Sequence, residues 1–166
     1  MKATRFVLSM LVGLVLLVTA CSPQATATSA SPATKAPATQ APVVPVTGET
    51  LVNLGNNDSL GSFLVDSKGM TLYLFTKDTP NTSNCYDKCA TAWPPLLTTG
   101  NAAGGEGVDA SKLGTTTRKD RSVQVTYNGW PLYYYQKDKA PGDVTGQDVG
   151  GVWYVVSAAG DKVTTP

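Results

Sequence analysis

The sequence predicts a mainly β, antiparallel fold built from two tandem hairpin-led repeats that share one core. Three observations predict it: a stretch that recurs at an offset of 60 residues, a turn dipeptide inside an apolar run in each copy, and very little helical periodicity. About 119 of the 166 residues remain for the folded part, 48–166, once the amino-terminal segments are set aside. That length suits one domain.

The repeat aligns without gaps. Gly69–Asp78 matches Gly129–Asp138, with glycine, leucine, tyrosine, lysine and aspartate at the same positions. The same offset pairs two further identities outside this block: Val65 with Val125, and Trp93 with Trp153. Matches in one register over this span indicate an internal duplication, with copies at about 60–98 and 120–157.

Each copy is predicted to begin with a hairpin. Asn128-Gly129 is the strongest two-residue hairpin signal because both residues tolerate positive φ, and Lys68-Gly69 occupies the same place in the first copy. A two-residue turn fixes the register. The predicted opposed pairs, mostly apolar and facing the core, are Tyr127–Trp130, Val125–Leu132 and Val123–Tyr134, and in the first copy Ser67–Met70, Val65–Leu72 and Phe63–Leu74.

The opposite face of each hairpin mixes polar residues with large aromatic ones, which predicts a half-hydrated sheet surface. Its members are Asp66, Thr71, Tyr73 and Phe75 in the first copy, and Gln124, Thr126, Tyr133 and Tyr135 in the second. Asp78 and Asp138 follow where turn residues begin. Carboxylates at such positions are expected to accept hydrogen bonds from loop amides.

The remaining elements are few. Further strands are expected within 108–118 and at 152–157, where β-branched residues recur. One short helix is expected at Cys85–Ala92, begun by Ser83 or Asn84 and ended by Pro94.

Cys85 and Cys89 form a Cys-x3-Cys pair that the second copy lacks. Cysteines four residues apart on a helical turn lie within disulfide range, and an exported chain meets oxidising surroundings, so a structural disulfide is the leading interpretation. A redox-active pair is an alternative, since a helix start lowers thiol pKa. Metal binding is a third, although two thiolates in a chain without histidine would need further ligands.

The amino terminus predicts export and lipidation. Residues 1–20 combine Lys2 and Arg5 with an apolar run too short to span a bilayer, as in a secretory signal. Val18-Thr19-Ala20-Cys21 resembles a bacterial lipobox, which implies that Cys21 becomes the acylated first residue, carrying fatty chains such as palmitate. Two or more chains make such an anchor lasting.

A tether is predicted between this anchor and the folded part. Residues 21–47 are almost entirely alanine, threonine, serine, proline and glutamine, and Lys35 is the only charged residue among them. Such a composition buries too little apolar surface to offset the entropy of ordering, so we expect a disordered spacer.

The two copies also resemble a known family. Tyr73–Asp78 and Tyr133–Asp138 both fit the Tyr-x-aromatic-x-x-Asp motif of a family of bacterial lipoproteins, also described as a secreted repeat of unknown function. Cys85-x3-Cys89 followed by Trp93-Pro94-Pro95-Leu96 is similar to its first repeat. The resemblance covers about 60–156 and implies location and architecture, but no established reaction.

One position departs from that family's pattern. Trp130 stands where the family often has histidine, so a metal or haem role built on that histidine could not operate in this chain.

Composition excludes several function classes. The chain has 13 Lys+Arg and 12 Asp+Glu, and removal of Lys2 and Arg5 with the signal leaves 11 against 12. This near-neutral balance argues against nucleic-acid binding. Histidine is absent, which excludes Ser-His-Asp triads, imidazole metal sites and histidine-ligated haem.

Three functions remain as hypotheses. The leading one is a non-enzymatic, membrane-tethered module that binds an envelope protein complex or a surface polymer, with the aromatic face as contact surface unless those rings pack as core. The second is a redox or electron-transfer accessory using Cys85/Cys89 or an unrecognised cofactor. The third, a hydrolase, lacks a recognisable acid/base pair or Gly-x-Ser-x-Gly. No catalytic residue, cofactor or metal ligand is therefore assigned.

Overall fold

The computed structural model describes residues 50–164. The predicted signal 1–20, the tether 21–47 and the lipidation site Cys21 lie outside the described residues. The strands are β1 Thr50–Asn57, β2 Gly61–Asp66, β3 Tyr73–Phe75, β4 Ala102–Gly104, β5 Leu113–Thr117, β6 Val123–Tyr127, β7 Trp130–Pro131 and β8 Trp153–Val155. Within residues 50–164 they are accompanied by one helix, α1 Lys88–Ala92, and two 3-10 turns, Ala110–Lys112 and Val149–Gly151. The predicted mainly β class is confirmed.

In the described part of the chain the strands form three small sheets, with the orders β2-β1-β4, β3-β8 and β5-β6-β7. All strand pairs are antiparallel except β1 with β4, which is parallel. The sequence did not predict β1 or β4. β1 lies between its two neighbours, and its Val52 is fully buried in the core.

The second hairpin forms around the predicted turn. Asn128 and Gly129 have φ of 50° and 81°, the left-handed values that an Asn-Gly turn supplies. The first two predicted pairs are present: Tyr127 opposes Trp130, and the Leu132 amide donates to the Val125 carbonyl at 3.0 Å. The third predicted pair is wrong, because the Val123 carbonyl accepts from the Thr98 amide instead.

The first hairpin has a different register from the predicted one. The Asp66 amide donates to the Met70 carbonyl and Val65 opposes Thr71, so the pairing near the turn is shifted by one residue. Phe63 opposes Ser157 instead of the predicted Leu74. Asp66 causes the shift, because its Oδ1 accepts from the amides of Lys68 and Met70 and closes a longer turn. Because the carboxylate accepts hydrogen bonds from the amides of its own turn, a longer turn forms in place of the predicted two-residue turn.

The predicted half-hydrated face is also wrong, because both faces of the hairpins are buried. Thr71, Tyr73, Gln124 and Tyr133 are each at most 1% exposed. One core cluster includes Leu64, Leu72, Val125, Tyr127 and Leu132. The other includes Phe63, Tyr73, Trp93, Tyr133 and Trp153. Each cluster draws on both copies, as the shared-core prediction requires.

The helix is shorter than predicted. It begins at Lys88 rather than Cys85 and ends at Ala92 as expected. The residue before it is Asp87, which has a non-helical backbone with a positive φ of 52°, so neither Ser83 nor Asn84 caps the helix. This residue interrupts the helical path between Cys85 and Lys88.

The two copies exchange strands. β3 of the first copy pairs with β8 of the second, with Tyr73 opposite Val155 and Phe75 opposite Trp153. In the reciprocal position, Tyr133 bridges to Pro95 of the first copy. Between these two contacts, Tyr73 and Tyr133 exchange backbone hydrogen bonds of 2.9 and 3.0 Å. The copies are therefore held together by main-chain pairing as well as by packing.

Candidate functional site: the crossed aromatic cluster

The motif tyrosine of each copy bonds the motif aspartate of the other. The Tyr73 hydroxyl donates to Oδ2 of Asp138, and the Tyr133 hydroxyl donates to Oδ2 of Asp78, both at 2.6 Å. All four side chains are at most 7% exposed. The spacing of tyrosine and aspartate in the motif thus serves a contact between copies, because the strand exchange carries each tyrosine to the opposite loop.

The second oxygen of each aspartate organises the loop that follows it. Asp78 Oδ1 accepts from the Asn84 amide at 2.7 Å. Asp138 Oδ1 accepts from the amide and the hydroxyl of Thr145. These are the loop-amide bonds that the sequence predicted for both residues.

Four rings form a continuous stack across the junction of the copies. Trp93 and Trp153 lie nearly parallel at the centre, with centroids 3.9 Å apart and an interplanar angle of 3°. Phe75 stacks on Trp153 and Tyr135 stacks on Trp93, each at 4.1 Å. Every outer ring therefore stacks on the tryptophan of the other copy. Stacked aromatic pairs add about 0.5–1.5 kcal/mol each beyond the area they bury.

The two motif tyrosines flank this stack edge-on. The Tyr73 ring lies 5.4 Å from Trp93, and the Tyr133 ring lies 5.2 Å from Trp153, both nearly perpendicular. We call the six rings the crossed aromatic cluster; they are Phe75, Trp153, Trp93, Tyr135, Tyr73 and Tyr133. Phe75 is half-buried and the other five are buried, so the motif aromatics are core and do not form an exposed contact surface.

Burial and the neighbouring carboxylates control the protonation of these pairs. The pKa values of Tyr73 and Tyr133 are both raised far above the ordinary 10.0, chiefly by desolvation and then by the bonded aspartate. Desolvation also raises the pKa of Asp78, and this effect exceeds the lowering by the hydrogen bonds from Tyr133 and Asn84. Both phenols therefore stay protonated and act as donors at neutral pH.

The buried Arg118, which the sequence did not indicate as a site residue, makes hydrogen bonds at one side of the site. Arg118 is 3% exposed, and its guanidinium donates to Ser83 Oγ, Gln124 Oε1 and the Cys85 carbonyl, each at 2.7 Å. The Ser83 hydroxyl in turn donates to the Tyr133 hydroxyl oxygen at 2.8 Å, since the Tyr133 proton is already given to Asp78. Arginine and serine flanked by loop residues give no sequence signal for such a network.

The cysteine pair is a disulfide, as the leading interpretation predicted. Cys85 and Cys89 are bonded with Cα atoms 5.2 Å apart, and Cys85 is fully buried beside the crossed aromatic cluster. In the second copy the equivalent of Cys85 is Thr145, which holds its loop through Asp138 instead. At corresponding positions, a disulfide therefore stabilises the loop of the first copy and a hydrogen bond stabilises the loop of the second.

A surface cleft lies away from this cluster. This open cleft of about 680 Å³ is lined mainly by small and hydroxyl-bearing residues. Beside them lies Leu97, whose side chain is 46% exposed and is the exposed large hydrophobic residue of the described range.

The structure thus brings together the motif residues Tyr73, Phe75, Asp78, Tyr133, Tyr135 and Asp138 with the tryptophans Trp93 and Trp153 and with Cys85. Within residues 50–164, no group of three or more acidic or cysteine side chains is arranged to hold a metal ion. No helix in the same range is long and apolar enough to cross a membrane.

The two copies match one family model, described as a secreted repeat of unknown function, at residues 56–97 and 114–157. These segments cover just over half of the chain. The chain belongs to the secreted-repeat family. No curated protein and no solved structure matches it. The matched segments contain every residue of the crossed aromatic cluster, and the secreted-repeat description supports an exported protein.

Proposed function

We propose that this secreted-repeat protein is a membrane-anchored lipoprotein whose folded part is a non-enzymatic binding or structural module of the cell envelope. The lipobox-like segment ending at Cys21 supports the anchor. Two acyl chains on that residue make membrane attachment lasting without a spanning helix.

The observation that carries the non-enzymatic part is the use of the motif's polar groups. The hydroxyls of Tyr73 and Tyr133 and the carboxylates of Asp138 and Asp78 bond each other in the core. A general acid or base must reach a substrate proton within hydrogen-bond distance. Groups that are nine-tenths buried and already paired are suited to holding two repeats together.

The anchor is tested on the full chain in its native host. Mass spectrometry of the amino-terminal peptide, after labelling with palmitate, should find acyl chains on Cys21. The Cys21→Ser variant should lose the label and leave the membrane fraction. A wild-type chain that is soluble and unlabelled would refute the anchor.

The module is tested separately by crosslinking in native membranes, followed by identification of the crosslinked peptides. A recurrent envelope protein or surface polymer is expected as neighbour, in wild type but not after Cys21→Ser. For the non-enzymatic role, any deletion phenotype should be restored by variants of Asp78 and Asp138 in proportion to the amount of folded protein. A well-folded variant that restores nothing would indicate catalysis instead.

A further inference from the structure

The crossed aromatic cluster has the composition of an oxidation site as well as of a core. Tryptophan and tyrosine lose one electron more readily than other aromatic side chains. Trp93 and Trp153 lie face to face at 3.9 Å, so a positive charge on either ring is shared with the electron-rich face of its neighbour. Tyr135, 8% exposed at one end of the stack, leads from the surface to this pair.

The motif tyrosines supply the second requirement, a place for the proton. A phenol that loses an electron becomes a strong acid, and its oxidation is easy only when a base accepts the proton at the same moment. The bases are in place: Asp138 Oδ2 and Asp78 Oδ2 lie 2.6 Å from the hydroxyls of Tyr73 and Tyr133. Each of these tyrosines also touches a central tryptophan edge-on.

We propose that the crossed aromatic cluster is a proton-coupled one-electron relay that takes oxidising equivalents from free radicals outside the cytoplasm. A radical removes one electron from Trp93 or Trp153 and is itself reduced by one electron. The tryptophan radical cation then takes an electron from Tyr73 or Tyr133 as the phenolic proton passes to Asp138 or Asp78. The products are neutral tryptophan, a neutral tyrosyl radical and a protonated carboxyl group. This activity does not depend on the anchor or on any envelope partner.

The chain contains a matched control for this chemistry. Tyr134, next to Tyr133, also donates to a carboxylate, Asp66 Oδ2, at 3.1 Å. Its ring packs against the other core cluster, away from the two tryptophans. Tyr134 thus has a carboxylate without the stack, whereas Tyr73 and Tyr133 have both.

The test is flash oxidation of the full chain in detergent micelles by photogenerated tris(bipyridine)ruthenium(III), with transient absorption following tryptophan and tyrosyl radicals. In wild type, the tryptophan signal should decay as the tyrosyl signal rises. The double variant Tyr73→Phe/Tyr133→Phe keeps both rings and removes both phenols. It should slow that conversion at least about tenfold, since a positioned proton acceptor or donor typically contributes about 100-fold or more. Tyr134→Phe should keep the wild-type rate.

Two further readouts separate proton coupling from packing. The wild-type conversion should slow in deuterium oxide, because the phenolic proton moves together with the electron. Near-ultraviolet circular dichroism must show that the double variant keeps its ring packing. If the double variant loses its ring packing, the single variants Tyr73→Phe and Tyr133→Phe are used instead. Each should then lose about half as much tyrosyl signal as is expected for the double variant. Equal conversion in wild type and the folded phenylalanine variants, or equal slowing by Tyr134→Phe, would overturn the proposal.

Discussion

The two tyrosine–aspartate pairs should differ in how they tolerate an uncharged, isosteric replacement. In Asp138→Asn the amide nitrogen faces the Tyr73 hydroxyl, which already accepts from the Gly146 amide. Among residues 50–164 that hydroxyl donates only to Asp138, so its proton loses its acceptor. In Asp78→Asn the Tyr133 hydroxyl can accept from the new amide and donate to Ser83 Oγ.

The structure sets the size of the difference. A buried hydroxyl without an acceptor costs about 1–3 kcal/mol, and weakening the two bonds from Thr145 to the carboxylate adds about 1 kcal/mol. We therefore expect Asp138→Asn to lower the free energy of unfolding by about 3 kcal/mol. Asp78→Asn weakens the hydrogen bond from the Asn84 amide, but it also removes a buried charge whose desolvation is unfavourable. The free energy of unfolding should therefore fall by about 1 kcal/mol or less.

The assay is urea and thermal unfolding of the two variants and wild type, followed by circular dichroism. At about 4 °C per kcal/mol for a domain of this size, Asp138→Asn should lower Tm by about 12 °C and Asp78→Asn by no more than about 4 °C. Equal losses, or a larger loss for Asp78→Asn, would refute the assignment of Ser83 as the alternative acceptor.

The same variants give a pH dependence with a definite sign. The folded-state pKa of Asp78 is raised above 3.8, so its contribution to stability is fully present below pH 3.8 and is lost as the pH rises through the folded pKa. The stability of wild type relative to Asp78→Asn should therefore be greatest in acid and should decrease towards neutral pH. Unfolding free energies at several pH values test this, and a constant difference would contradict it.

Three other changes should also have measurable effects. Segments 56–97 and 114–157 expressed alone should give circular dichroism of unfolded chains, because each lacks the partner strand and acceptor that the other supplies; a cooperative transition in either would contradict the strand exchange. Gly146→Ala should cost at least about 2 kcal/mol, because its Cβ would lie 2.8 Å from the Tyr73 ring, and unchanged urea unfolding would contradict this close approach. Replacing both Cys85 and Cys89 with alanine should lower the free energy of unfolding by about 2 kcal/mol, because the disulfide closes only a short loop. A loss above about 4 kcal/mol in urea unfolding would contradict this and show a larger role for the disulfide.

Local patterns in the sequence determined the class of fold and the presence of two repeats. Asn128-Gly129 defined its turn because two residues with positive φ admit few alternatives. The fixed offset between Trp93 and Trp153 showed that the halves are related. Cys85 and Cys89 formed the leading pairing because they are four residues apart in an exported chain.

Tertiary structure alone decided what the motif does. Period-2 alternation assigns a side chain to a face, but it does not show whether another layer covers that face, so Tyr73 and Tyr133 looked half-hydrated and are buried. The turn at Asp66 shifted the register of the first hairpin by one residue, because the Asp66 carboxylate accepts hydrogen bonds from the turn amides and favours a longer turn than two residues. The crossed bonds from Tyr73 to Asp138 and from Tyr133 to Asp78 follow from the strand exchange. That exchange joins residues more than 50 positions apart, which no local pattern encodes.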